Sequence, residues 1–166
     1  MSLGKLKDDK LAPLLLKKIR LEVRRGQSIL QIGEKHNQIT EELGAVNMLQ
    51  KVSSLEEIPF KKKAYSYVIA DLDSPALDDF DAFLERVAPL IIRPGLLIIV
   101  GTNLCRLSDK IRLFLGKTPK NFQRPNRAVP SGFLRDKLLE KGFFVKNRYW
   151  QYSDKFLIMA DIPREF

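Results

Sequence analysis

The sequence predicts an α/β chain built on an open, doubly wound, mostly parallel sheet that closes with a C-terminal antiparallel hairpin. Three observations carry that expectation. The aliphatic runs SILQIG, AYSYVIAD and GLLIIVG have strand length and are apolar enough to be covered on both faces. Segments with apolar residues at helical spacing alternate with them, the pattern of strand–helix–strand crossovers. The final strand-like runs, FFVKNRYW and KFLIMAD, join tightly around Ser153 and Asp154, too closely for a crossover, so they pair as a hairpin.

The bulk numbers fit this architecture. With 166 residues, 45% of them hydrophobic, the chain suits one continuous core rather than two. No apolar run approaches the roughly 20 residues that cross a bilayer. The apolar stretch after MSLGKLKDDK is broken by Pro13, Lys17 and Lys18, unlike a signal peptide. Cys105, the single cysteine, has no internal partner for a disulfide, which suits a reducing compartment. The expectation is a soluble, cytoplasmic protein with no membrane partner and no metal. A formal charge of +9 favours encounters with anionic ligands, and the excess concentrates in Arg106, Lys110, Arg112, Lys117, Lys120, Arg124 and Arg127, with Asp109 alone interspersed.

Taken in order, Leu11, Leu14, Leu15, Ile19 and Val23 predict an amphipathic leading helix over residues 8–25, packed on a domain spanning 26–166. Gly26 ends the helix and SILQIG forms the first strand. A helix follows from Asn37 to Leu43, with Asn37 as cap and Gly44 as terminator. Residues 45–52 read as a second strand, and SSLEEIPF as a short helical turn stopped by Pro59. AYSYVIAD is the next strand. Residues 77–92 are helical in period, with Pro89 in the last turn, and the Arg93–Gly95 turn leads into LLIIVG at the sheet centre. A basic helix spans about 104–115, before a polar loop rich in proline and arginine. Ser131 caps a last helix through Lys141, ended by Gly142.

Four segments in this order, ILQIGEKHNQITEEL, LEEIPFKKKAYSYVIADLD, FLERVAPLIIRPGLLIIVGTN and LRDKLLEKGFF, resemble the class I S-adenosylmethionine-dependent methyltransferases. The resemblance runs from about Gly26 to Asp161. It implies a Rossmann-like sheet, an S-adenosylmethionine site at the first strand's end, and an antiparallel strand inserted beside the parallel ones. By this resemblance the cofactor contacts fall on Gly33, Glu34, Gln50, Ser54 and Asp71, with acceptor or anion contacts on Asp73, Arg106, Arg124 and Arg127.

Departures from the family pattern mark a degenerate cofactor motif. Glycines there let backbone approach the ligand without a Cβ in the way. Gly33 survives, but Lys35 and Asn37 stand where the second and third glycines belong, and Gln31 replaces an acid. Gln50 stands where a carboxylate accepts two ribose hydroxyls, and an amide accepts less strongly. Ser54 stands where aspartate is common. Between Gly33 and Pro59 there is too little chain for two strand–helix units, so one is shortened or missing.

Each candidate also has an ordinary reading. His36, the single histidine, titrates nearest neutrality, yet a loop histidine that caps or faces water needs no catalytic role. Asp71 and Asp73 follow a strong strand at the ligand edge, where carboxylates equally cap helices. The basic stretch with Phe114 and Phe122 suits phosphate holding and base stacking, or an amphipathic helix with a wet basic face and core phenylalanines. Cys105 suits a buried thiol better than a nucleophile. No phosphate-loop, zinc-ligand or nucleophile-elbow spacing is present. The leading expectation is a methyltransferase-like scaffold with a degenerate site that binds a protein partner or an anionic ligand. The alternatives are an active S-adenosylmethionine-dependent methyltransferase and a nucleic-acid-binding module.

Overall fold

A computed structural model describes residues 13–33, 37–60, 64–102, 111–112, 114–117, 131–145, 149–152 and 155–162. The strands are β1 (Ser28–Ile32), β2 (Met48–Val52), β3 (Tyr65–Asp71), β4 (Ile91–Thr102), β5 (Tyr149–Tyr152) and β6 (Lys155–Ile162). They form one sheet in the order β2-β1-β3-β4-β6-β5. β1 to β4 run parallel, and β6 enters antiparallel between β4 and β5. A single helix–strand unit lies between β1 and β3, so β2 is the sheet's edge; the second unit anticipated from the family pattern is missing.

The helices are α1 (Pro13–Glu22), α2 (Asn37–Gly44), α3 (Phe80–Val87) and α4 (Ser131–Glu140). Strand side chains alternate between faces, and this divides the core in two. Ile29, Ile69, Leu96, Ile98, Leu157 and Met159 meet Leu15, Leu16 and Ile19 of α1 and Ile39 and Leu43 of α2. On the other face Leu30, Val68, Leu97, Ile99 and Ile158 meet Phe83, Leu84 and Val87 of α3 and Leu134 and Leu138 of α4. Burying each such side chain stabilises the fold by about 1.5–3 kcal/mol. Both faces of the central strands are thus dry, which is why those strands read as continuous apolar runs rather than alternating ones.

The structure adjusts several boundaries. α1 turns Leu15, Leu16 and Ile19 inward, with buried Val23 just past its end, and leaves Leu14 48% exposed, so its buried stripe is shifted from the one the spacing suggested. Tyr67 of β3 anchors its end, donating from its hydroxyl to the Glu22 carbonyl at 3.2 Å. SSLEEIPF is a turn before Pro59, closed by Ile58 N–H to Leu55 carbonyl at 3.3 Å. The helix anticipated over 77–92 is broken into a 3-10 turn (Pro75–Leu77), α3 and a second 3-10 turn (Ala88–Leu90). The breaks follow from capping: Ser74 Oγ accepts from Ala76 N–H, and Asp79 Oδ1 accepts from Ala82 N–H at 2.9 Å.

β4 begins at Ile91, before the Arg93–Gly95 turn. Tyr65 pairs with Ile91 and Tyr67 with Leu96, so the turn is a bulge inside the strand rather than its entrance. The Arg93–Pro94 peptide is cis. The closing hairpin pairs Tyr149 with Ile158 through Tyr152 with Lys155, and Phe144 adds a single bridge to Asp161. Among the described residues no helix is long and apolar enough to cross a membrane.

Candidate functional site

In an open α/β sheet the ligand crevice forms where consecutive connections leave in opposite directions, at the carboxyl ends of the strands. Here that place lies between β1 and β3. β1 is followed directly by Gly33, whose N–H donates to the Val52 carbonyl at 2.9 Å and whose φ is +119°. β3 ends in Asp71, which is buried. A side chain at position 33 would place its Cβ 2.9 Å from the Cβ of Asp71 and 3.4 Å from that of Ser74.

The loops after β2 and β3 are tied together beside this point. Asp71 Oδ1 accepts from Asp73 N–H at 3.0 Å, and its carbonyl accepts from Ser74 N–H at 3.0 Å. Ser74 Oγ reaches the Ser53 carbonyl at 3.5 Å. Ser53 N–H donates to Glu57 Oε2 at 2.8 Å. Beneath α2, the gap bordered by Gln31, Ile32, Ile39, Asp71 and Val100 holds no space that admits a water molecule. Gln31 is itself buried and accepts from Thr40 Oγ1 at 2.8 Å.

The other described cofactor candidates lie as follows. Gln50 sits in the middle of β2, paired with Leu30, and its Oε1 accepts from the Tyr65 hydroxyl at 2.6 Å. Burial raises the Tyr65 hydroxyl pKa above its ordinary value. Ser54 follows the end of β2 and donates its hydroxyl to Glu56. Glu56 is held below the usual carboxylate range, first by its own backbone N–H, then by Ser54, with Arg86 adding attraction. Asp73 is half-buried in the β3 turn. Glu34, Lys35 and His36 lie outside the described residues, as do Cys105, Arg106, Phe122, Arg124 and Arg127.

Two features of this edge were not visible in the sequence. Lys51, one residue before the end of β2, points its ammonium to Asn37 Oδ1 at 3.0 Å, so Asn37 begins α2 with its side chain engaged by a cation. A groove of about 580 Å³ opens between the turn after β2 and α3, lined by Leu55, Glu56, Phe60, Ala82, Glu85 and Arg86. There the Arg86 guanidinium lies 3.1 Å from the centre of the exposed Phe60 ring while donating to the Ile58 carbonyl at 2.9 Å. The Pro59-Phe60 pair was the available signal for this groove, but its partner Arg86 is distant in sequence. Among the described residues no cluster of three or more His, Cys, Asp or Glu side chains is arranged to hold a metal.

No protein-family model matches the chain, and no curated protein matches it. Solved structures do. A S-adenosylmethionine-dependent methyltransferase from Aquifex aeolicus superposes with a TM-score of 0.61 at 14% identity, covering 89% of each chain. One from Methanosarcina mazei gives 0.63 at 11% identity, covering 94% of this chain and all of the other. A structure from Haloferax volcanii, of a methyltransferase activator in complex with its methyltransferase, gives 0.61 at 10% identity, covering 86% of this chain and 85% of that one. The chain therefore has the class I methyltransferase fold, in a divergent form.

Proposed function

We propose that this protein is a methyltransferase-fold scaffold whose cofactor position is degenerate, and that it works by binding a protein partner or an anionic ligand rather than by methyl transfer. The observation that carries the reading is the lack of room for a side chain between Gly33 and Asp71. The glycine retained in the loop is required by the packing of two strand ends, so its presence is no sign of a ligand. The described residues fit S-adenosylmethionine poorly. Gln50 is engaged by Tyr65, Ser54 by Glu56, and among the described candidates the one carboxylate, Asp71, already serves its own turn. Lys51 brings an ammonium, a donor, to the edge where an acceptor is wanted.

A binding role draws support from the charge of +9, which raises encounter rates with anions. The Haloferax neighbour, solved with an activator protein, is a precedent for a partner on this fold. Calorimetric titration with S-adenosylmethionine and with its demethylated product tests the reading; no binding heat is expected even at millimolar ligand. Micromolar binding of either would overturn it in favour of an active methyltransferase, the reading that the Aquifex and Methanosarcina neighbours support.

A further inference from the structure

We infer that the helical end carrying Ile111, Phe114 and Leu115 is a docking face for an anionic lipid surface. Residues 111, 112 and 114 are helical, and Leu115 N–H donates to the Ile111 carbonyl at 3.0 Å. The chain then turns at Gly116, with φ +67°, and Lys117 N–H returns to the Arg112 carbonyl at 2.8 Å. That bond, six residues back to one, is a standard helix stop, so the orientation of this last turn is set by its own backbone.

Positions 111, 114 and 115 are spaced i, i+3, i+4 and share one side of a helix. Their side chains are exposed by 50%, 91% and 60% respectively. Single exposed apolar residues are ordinary, but three large ones on one side of one turn form a patch that water solvates badly. The sequence reading that placed Phe114 in the core is corrected by this exposure. Arg112 lies on the same turn and Lys117 directly after it, within a chain of charge +9.

The mixture of side chains selects the occupant. Single-stranded nucleic acid is held by cations and by aromatic rings that stack bases, and it offers nothing to an exposed isoleucine and leucine. The headgroup region of an anionic bilayer takes both kinds of group. Aliphatic and aromatic side chains enter the acyl boundary, and flanking lysine and arginine stay at phosphate level. Insertion here needs no spanning helix, so the expectation of no membrane partner, which rested on the lack of a spanning run, is set aside for this surface. Insertion is also independent of whether the crevice between β1 and β3 takes a cofactor.

Sedimentation of the full chain with vesicles tests this directly, comparing phosphatidylcholine alone with phosphatidylcholine containing phosphatidylglycerol. Binding to the anionic vesicles alone is expected, falling as salt rises. Phe114→Ser and Leu115→Ser should each weaken it about tenfold, the effect of losing one inserted apolar side chain. Arg112→Gln with Lys117→Gln should weaken it too. Phe114, Leu115 and Lys117 are exposed and Arg112 is half-buried, so unchanged thermal unfolding of the variants will show that the fold is intact. The proposal fails if anionic vesicles bring down no protein at low salt, if neutral vesicles bind equally, or if Phe114→Ser binds as well as the parent. It also fails if single-stranded RNA is bound in place of vesicles, with loss on Phe114→Ser and none on Leu115→Ser.

Discussion

Gly33 and Asp71 close neighbouring parallel strands so tightly that a Cβ on the first would stand 2.9 Å from the Cβ of the second. Both positions lie at the carboxyl edge of the sheet, and the space between them has no room for a side chain on Gly33. A backbone φ of +119° adds a second barrier to any L side chain at position 33. Gly33→Ala is expected to destabilise the protein by about 2 kcal/mol or more in urea unfolding. A change below about 0.5 kcal/mol would show that the strand ends separate easily, and with that the packing account of this glycine would be lost.

At the end of β4 the same logic applies to Gly101, where a Cβ would lie 2.7 Å from the ring of the fully buried Phe156. Gly101→Ala should cost about 1–3 kcal/mol by overpacking. In a Phe156→Leu background part of that cost should vanish, giving a coupling energy above about 0.5 kcal/mol. Strict additivity in the double-mutant cycle would refute the contact.

The phase of α1 is measurable with two adjacent leucines. Leu15 is completely buried against the sheet, whereas Leu14 is 48% exposed. Leu15→Ala should cost about 2–5 kcal/mol and Leu14→Ala less than about 1 kcal/mol. Equal losses at the two positions would mean that the helix is rotated from the orientation described.

α4 is held against α3 by Lys137 to Asp81 at 3.1 Å and Lys141 to Glu85 at 2.6 Å. The hydrogen bonds and charges of these carboxylates raise both lysine pKa values. A raised folded-state value means that the contribution is fully present below the unfolded lysine value of about 10.4 and is lost as pH rises through the folded value. The thermal midpoint should therefore fall more steeply above about pH 10 in the parent than in a Lys137→Gln, Lys141→Gln variant. Parallel curves would show that these exposed pairs contribute nothing to stability.

The strand pattern was legible because burial on both faces leaves a local mark. SILQI, YSYVIAD and LLIIVG carry their apolar content within a few residues, and so their sequence order implied a wound parallel sheet. The short interval between Gly33 and Pro59 likewise announced that a strand–helix unit was shortened or missing, since a chain of given length spans a limited distance. The start of β4 was not legible. Ile91 and Ile92 read as the end of a helix, and they are strand because Ile91 pairs with Tyr65, 26 positions earlier in the chain (91 − 65).

The candidate site divides in the same way. Sequence alone determined that the loop after β1 holds one glycine, Gly33, that glutamines occupy positions 31 and 50, and that cations crowd residues 106–127. Those are matters of residue type at a position in order. Tertiary structure decided what surrounds each residue: Gln50 accepts from Tyr65, Lys51 reaches Asn37, and Asp71 stands where a side chain on Gly33 would go. It also decided that Phe114 faces solvent rather than the core. Periodicity records which residues share a face, but which face meets the sheet depends on contacts between segments far apart in sequence, and those contacts exist only in the folded chain.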